Sequence, residues 1–201
     1  MPKSPVGRYL LALASLLLLA GCSVNVKKGK NGEEQNVDIR TPVGGIHVNT
    51  DAAVHDTGLP PYPGAREKPK GSDNDGNKAN VNISSSFFGV KVVALEFLSD
   101  DPPEKVATFY RGQLKKYGGV LECHTSNRHG DPGDVDVNLG KDGDNHDNRL
   151  SCEHGGGSTL ELKVGTKDNQ HIVSISPQEK GKGTDFALVY VQTRGGNKDT
   201  I

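Results

Sequence analysis

The densest run of ligand-type side chains lies between residues 126 and 148, where Asp131, Asp134, Asp136, Asn138, Asp142, Asp144, His146 and Asp147 crowd together. Carboxylate and amide oxygens at that density suit calcium, which takes about six to eight oxygen ligands. Asp134-x-Asp136-x-Asn138 and Asp142-x-Asp144-x-His146 both imitate the opening of an EF-hand loop, but Leu139 and Asp147 stand where its sixth-position glycine is needed. His124, His129, His146 and His154 surround the same run and would suit zinc or copper, yet no His-x-x-x-His spacing sets two of them on one helix turn. Asp142, Asp144 and His146 are therefore the candidate metal ligands. The alternative is a solvated polar loop, because Asp, Asn and Gly are ordinary turn formers.

Nucleophilic catalysis has no counterpart signal. There is no Gly-x-Ser-x-Gly elbow. Gly155-Gly156-Gly157-Ser158 and Gly181-Lys182-Gly183-Thr184 are glycine-rich but match no phosphate loop, and read as turns between strands. The expectation is a protein without enzymatic activity and without a cofactor.

The cysteines point to a compartment. Lys3 and Arg8 precede an apolar run from Leu10 to Leu19, followed by small residues and Cys22, which is the layout of a secretory signal over residues 1–21. The apolar run is about half the length a membrane-spanning helix requires. Leu19-Ala20-Gly21-Cys22 resembles the lipobox of bacterial lipoproteins. That resemblance implies cleavage before Cys22, a diacylglyceryl thioether on its sulfur and usually an acylated amine, enough acyl chain for stable anchoring. It also implies export, and, with Ser23 rather than Asp next in line, the periplasmic face of the outer membrane in a cell with two membranes. With Cys22 carrying lipid, Cys123 and Cys152 remain as a pair in a compartment where disulfides persist. Two free thiols or half a metal site are the alternatives.

Removing the signal takes the formal charge from −1 to −3, so no basic excess draws nucleic acid. The implied partners are the membrane, through the anchor, and a protein of the cell envelope.

Several elements must hold these residues. Between residues 22 and 58, Val24 to Lys27, Val37 to Arg40 and Ile46 to Asn49 alternate apolar with polar, giving either a flexible tether or a small β meander. Residues 59–78 are Pro- and Gly-rich and then lose apolar content, as in an entry turn and linker. The compact domain is expected over 79–194, followed by a polar tail. Within it, Ala79 to Ser85 and Val90 to Leu98 read as strands, and Phe87-Phe88-Gly89 as a turn with aromatic packing. Asp101 as N-cap, Pro102 at N1 and Glu104 at N3 open a helix over about 102–117 whose Val106, Phe109, Tyr110, Leu114 and Tyr117 share one face, stopped by Gly118-Gly119. Val120 to Thr125, Arg149 to Glu153, Leu160 to Val164, Ile172 to Ile175 and Phe186 to Val191 supply further strands. Consecutive strands with short turns pair antiparallel, so the fold class is α+β, an antiparallel sheet covered by one amphipathic helix.

Tyr62-Pro63-Gly64-Ala65, a later strand and Phe109-Tyr110-x-x-x-Leu114 together resemble uncharacterised exported bacterial domains, a likeness that implies no particular activity. The functional expectation is a lipid-anchored envelope protein that binds or scaffolds. The alternative is a periplasmic metal- or ligand-binding lipoprotein that uses the 126–148 loop.

Overall fold

The computed structural model describes residues 22–28, 34–49, 52–69, 78–85, 87–125, 148–152, 156–178 and 182–194. Its strands are β1 (Ser23–Lys28), β2 (Glu34–Thr41), β3 (Gly44–Asn49), β4 (Arg66–Glu67), β5 (Lys78–Ser85), β6 (Gly89–Ser99), β7 (Leu121–Thr125), β8 (Thr159–Thr166), β9 (Asn169–Pro177) and β10 (Thr184–Arg194). Among the described residues there is one α-helix, α1 (Pro103–Leu114), which continues into a 3-10 turn at Lys115–Tyr117. All pairings are antiparallel and form one sheet in the order β1-β2-β3-β5-β6-β10-β9-β8-β7, with β4 beside the far part of β6. The described residues thus form an antiparallel sheet with one helix, α+β in layout but dominated by strand.

The reason is visible in the two faces of the central strands. Val93, Leu95 and Phe97 of β6 point to the helix side, as do Phe186 and Leu188 of β10, Val173 and Ile175 of β9, and Leu160, Leu162 and Val164 of β8. Val106, Ala107, Tyr110 and Leu114 of α1 close over them, and all are fully buried. Phe186 stacks on Phe97 at 5.4 Å between ring centroids and lies 5.7 Å from Tyr110. The opposite face of the same strands buries Ala94, Ile172, Ala187, Val189 and Val191. A strand largely apolar on both faces is what the Val90–Leu98 run encodes, with Lys91 and Glu96 its only charged residues.

Several expectations are corrected. Of the two readings of residues 22–58, the irregular tether gives way to the β meander: β1, β2 and β3 are continuous with β5 and β6. Marginal strand pairs gain permanence by being added to an existing sheet. Residues 59–69 pack into the body rather than linking to it, since Leu59 and Tyr62 are buried among the helix-side residues and Arg66 pairs with Leu98. The helix N-cap is Pro102 rather than Asp101, with no side-chain cap. Asp101 is engaged elsewhere, accepting from the Tyr62 hydroxyl at 2.8 Å and from Lys105 at 2.8 Å. Tyr117 does not join the core face. It is partly exposed, in the 3-10 turn that ends where Gly118 takes φ 141°, a conformation open to glycine. Arg149 to Cys152 is not a strand. Phe87 and Phe88 form the expected turn but do not pack, at 84% and 48% exposure.

Candidate functional site

Cys123 lies on β7, the last strand of the sheet, and is buried. It is disulfide-bonded to Cys152 across a Cα–Cα distance of 5.4 Å. The two residues bracket the 126–148 run, so its base is stapled to the sheet edge. Arg111 of α1 reaches the neighbouring Glu122 with two hydrogen bonds of 2.8 and 3.0 Å, tying helix to edge strand. That contact holds the Glu122 carboxyl below the usual carboxylate range. Asp142, Asp144 and His146, with His129 and His154, lie outside the described residues. His124 is on β7 and exposed. Among the described residues, no three His, Cys, Asp or Glu side chains gather as a metal centre would require.

Cys22 is exposed and stands one residue ahead of β1. The register fixes its surroundings. Ser23 faces Arg40, Arg40 faces Gly45, Gly45 faces Ser84, Ser84 faces Gly89 and Gly89 faces Arg194, one row across six strands. Among the described residues, Cys22 and two turns lie beyond that row, one at Pro42-Val43 between β2 and β3 and one carrying Phe87 and Phe88 between β5 and β6. The turns are neighbours because Gly44 faces Ser85. A Cβ on Gly44 would meet the Ser84 carbonyl oxygen at 2.3 Å, so only glycine lets β3 approach β5 this closely. Val43 is 68% exposed. Immediately behind the row, Val24 (65% exposed) and Ile46 stand on one face with Ile39 and Ile83. The other face is polar, an open depression lined by Asp38, Arg40, His47 and Asn82. There Arg40 donates to Asp38 at 2.9 and 3.2 Å and holds its carboxyl below the ordinary range.

One titratable group within the body escaped the sequence reading. His171 of β9 is buried, its ring 3.9 Å from that of Tyr117 and 4.9 Å from that of Tyr190. Its Nδ1 lies 2.8 Å from the Thr57 carbonyl oxygen. A carbonyl only accepts, so Nδ1 carries the proton and donates it, which seats the 3-10 turn Val54–Thr57 on the sheet. Burial pushes the imidazole below its ordinary pKa, against the opposing effect of that hydrogen bond, and nearby Lys116 adds to the lowering. The folded protein therefore binds this proton less readily than the unfolded chain. Stability contributed here is complete above about pH 6.5, the ordinary histidine value, and is lost as the pH falls below it. A His171→Gln variant is expected to lose less stability than the parent between pH 7.5 and pH 5.5. Parallel thermal-melting profiles for the two over that interval would show that His171 does not carry the effect.

Comparison of the chain with protein-family models, with curated proteins and with solved structures finds no match. The placement of Cys22, the stapled edge and the apolar turns must therefore be read on their own chemistry.

Proposed function

We propose that this is a lipid-anchored protein of the cell envelope that acts by binding or scaffolding. The observation that carries it is Cys22, the last residue of a lipobox-like sequence, exposed one residue ahead of the first strand. An acyl-bearing residue must reach a bilayer, and an exposed position at a sheet edge permits that without disturbing the core. A disulfide between Cys123 and Cys152 agrees with an oxidising compartment. Binding is favoured over chemistry by the surface. Among the described residues β1 pairs with β2 alone, so its outer backbone edge is open to a partner strand. Val24, Val43, Ile46, Phe87 and Phe88, most of the exposed large apolar side chains among the described residues, lie toward the same end of the sheet. In a cell with two membranes the body faces the periplasm.

Cys22→Ser tests the anchor. The parent is expected to lack residues 1–21 and to carry acyl mass on Cys22, and the variant to carry no acyl mass and to keep a signal uncleaved by the lipoprotein route. A parent without acyl mass, or a variant acylated and processed like the parent, would remove the reading.

A further inference from the structure

We propose that the end of the sheet bearing Cys22 is itself a membrane-inserting surface, with Val43, Phe87 and Phe88 entering the bilayer that holds the anchor. The inference rests on the lipid-anchor reading for the position of the bilayer, and it adds a surface and an orientation to it.

The register supports it. Continuing the β1–β2 pairing by one residue sets Cys22 level with Thr41, and the next strands bring Gly44, Ser85 and Phe88 to the same level. The anchor and the aromatic turn thus end at one height. With strands about 4.8 Å apart, β1 and β5 are separated by about 14 Å, so both stand over one small patch of membrane. Val43 and Phe87 project about one residue further, roughly 3 Å. That suits shallow burial at the boundary of headgroups and acyl chains, where interfacial elements sit about 5–10 Å deep.

The turn that presents the phenylalanines is fastened. The Ser85 N–H donates to the Phe88 carbonyl oxygen at 2.7 Å. The Ser85 hydroxyl oxygen accepts from the amides of Phe87 and Phe88 at 3.1 and 2.9 Å. Exposed aromatic rings on a held turn cost little ordering entropy to insert. Pro42, Val43, Phe87 and Phe88 bring no carboxylate to the tips. Arg40 and Arg194 occupy the row just behind, the level at which guanidinium groups meet lipid phosphates. Val24 and Ile46 extend the apolar surface along one face only, which tilts that face toward the membrane. A bilayer is favoured over a protein partner because the acyl chains begin in the same row. A protein covering the tips would have to share that space with them.

The chain has no tryptophan, so a single indole reports its own surroundings. Phe87→Trp places it on the turn, and Asp100→Trp places it just past the opposite end of β6. Both would be made in the full acylated protein and reconstituted into phosphatidylethanolamine–phosphatidylglycerol vesicles, with and without bromine on the acyl chains. Phe87→Trp should emit further to the blue in vesicles and lose most of its emission to brominated lipid, while Asp100→Trp should be unaffected. Equal, weak quenching of the two in an acylated, vesicle-bound protein would overturn the inference and leave the anchor standing. A chain without acyl mass would remove the anchor reading and this inference with it. A vesicle-free blue shift of Phe87→Trp that grows with protein concentration, in the Cys22→Ser background, would assign the surface to a second copy instead.

Discussion

Phe186→Ala is expected to lower the free energy of unfolding by about 4 kcal/mol, the range measured for large aromatic truncations in cores. Phe186 sits where β10, α1 and the 52–69 segment meet. Its ring stacks on Phe97 and lies edge-on to Tyr62 at 6.2 Å and tilted to Tyr110 at 5.7 Å. Phe97 and Leu188 are held by ladder pairing, so the surroundings have little freedom to collapse into the space left. The loss should appear as a lower urea midpoint with little change of slope. Phe87→Ala, on a side chain that touches no core, should stay within about 0.5 kcal/mol of the parent. Similar losses for both would mean that the helix-side cluster is not the stabilising core.

Cys123→Ser is expected to cost about 3.5 kcal/mol under oxidising conditions. The bridge closes a sequence separation of 29 residues, and the chain-entropy relation gives a cost of that order for a loop of about thirty. The position adds to the argument. Among the described residues, β7 has a strand neighbour on one side only and residues 148–152 have no ladder of their own. Asn148 bonds the segment to Lys167 and Asp168 of the β8–β9 turn. Arg111 and Glu122 still hold β7 to the helix in the variant, so local loosening around the 126–148 run should precede loss of the core. Melting of parent and variant in oxidising buffer decides it, with the reduced parent expected to match the variant. Coincident transitions in oxidising buffer would show that the bridge adds no stability.

Much of the body was legible because period and burial agree there. Apart from Lys91 and Glu96, Val90 to Leu98 is apolar on both faces, and it forms a central strand largely buried on both. Val106, Tyr110 and Leu114 lie at helix spacing, and α1 buries all three. Cys123 and Cys152 were paired by elimination after Cys22 took lipid, and the bridge is present. Alternation over Val24 to Asn49 allowed strands but could not choose between tether and meander, because the choice depends on whether β5 offers an edge to join. The Phe87-Phe88 turn was expected to pack, since aromatic residues usually do. Its exposure follows from its place beyond the Ser84–Gly89 pair, where the strands end and no layer of the described residues covers the rings. The proximity of that turn to Cys22 was not legible, because it depends on the register of four strand pairs. His171 carried no signal either, being one of several polar residues in β9, beside Asn169, Gln170, Ser174 and Ser176. Its partners are Tyr117 and the Thr57 carbonyl, far away in sequence.

The most direct test of the anchor is the intact mass of the protein purified from membranes, before and after reduction. The lipid-anchor reading predicts the mass of residues 22–201 plus acyl groups, rising by two hydrogens on reduction of the Cys123–Cys152 bridge. An unacylated chain that retains residues 1–21 would contradict it. The apolar turns beside Cys22 would then face water or a protein, and no bilayer.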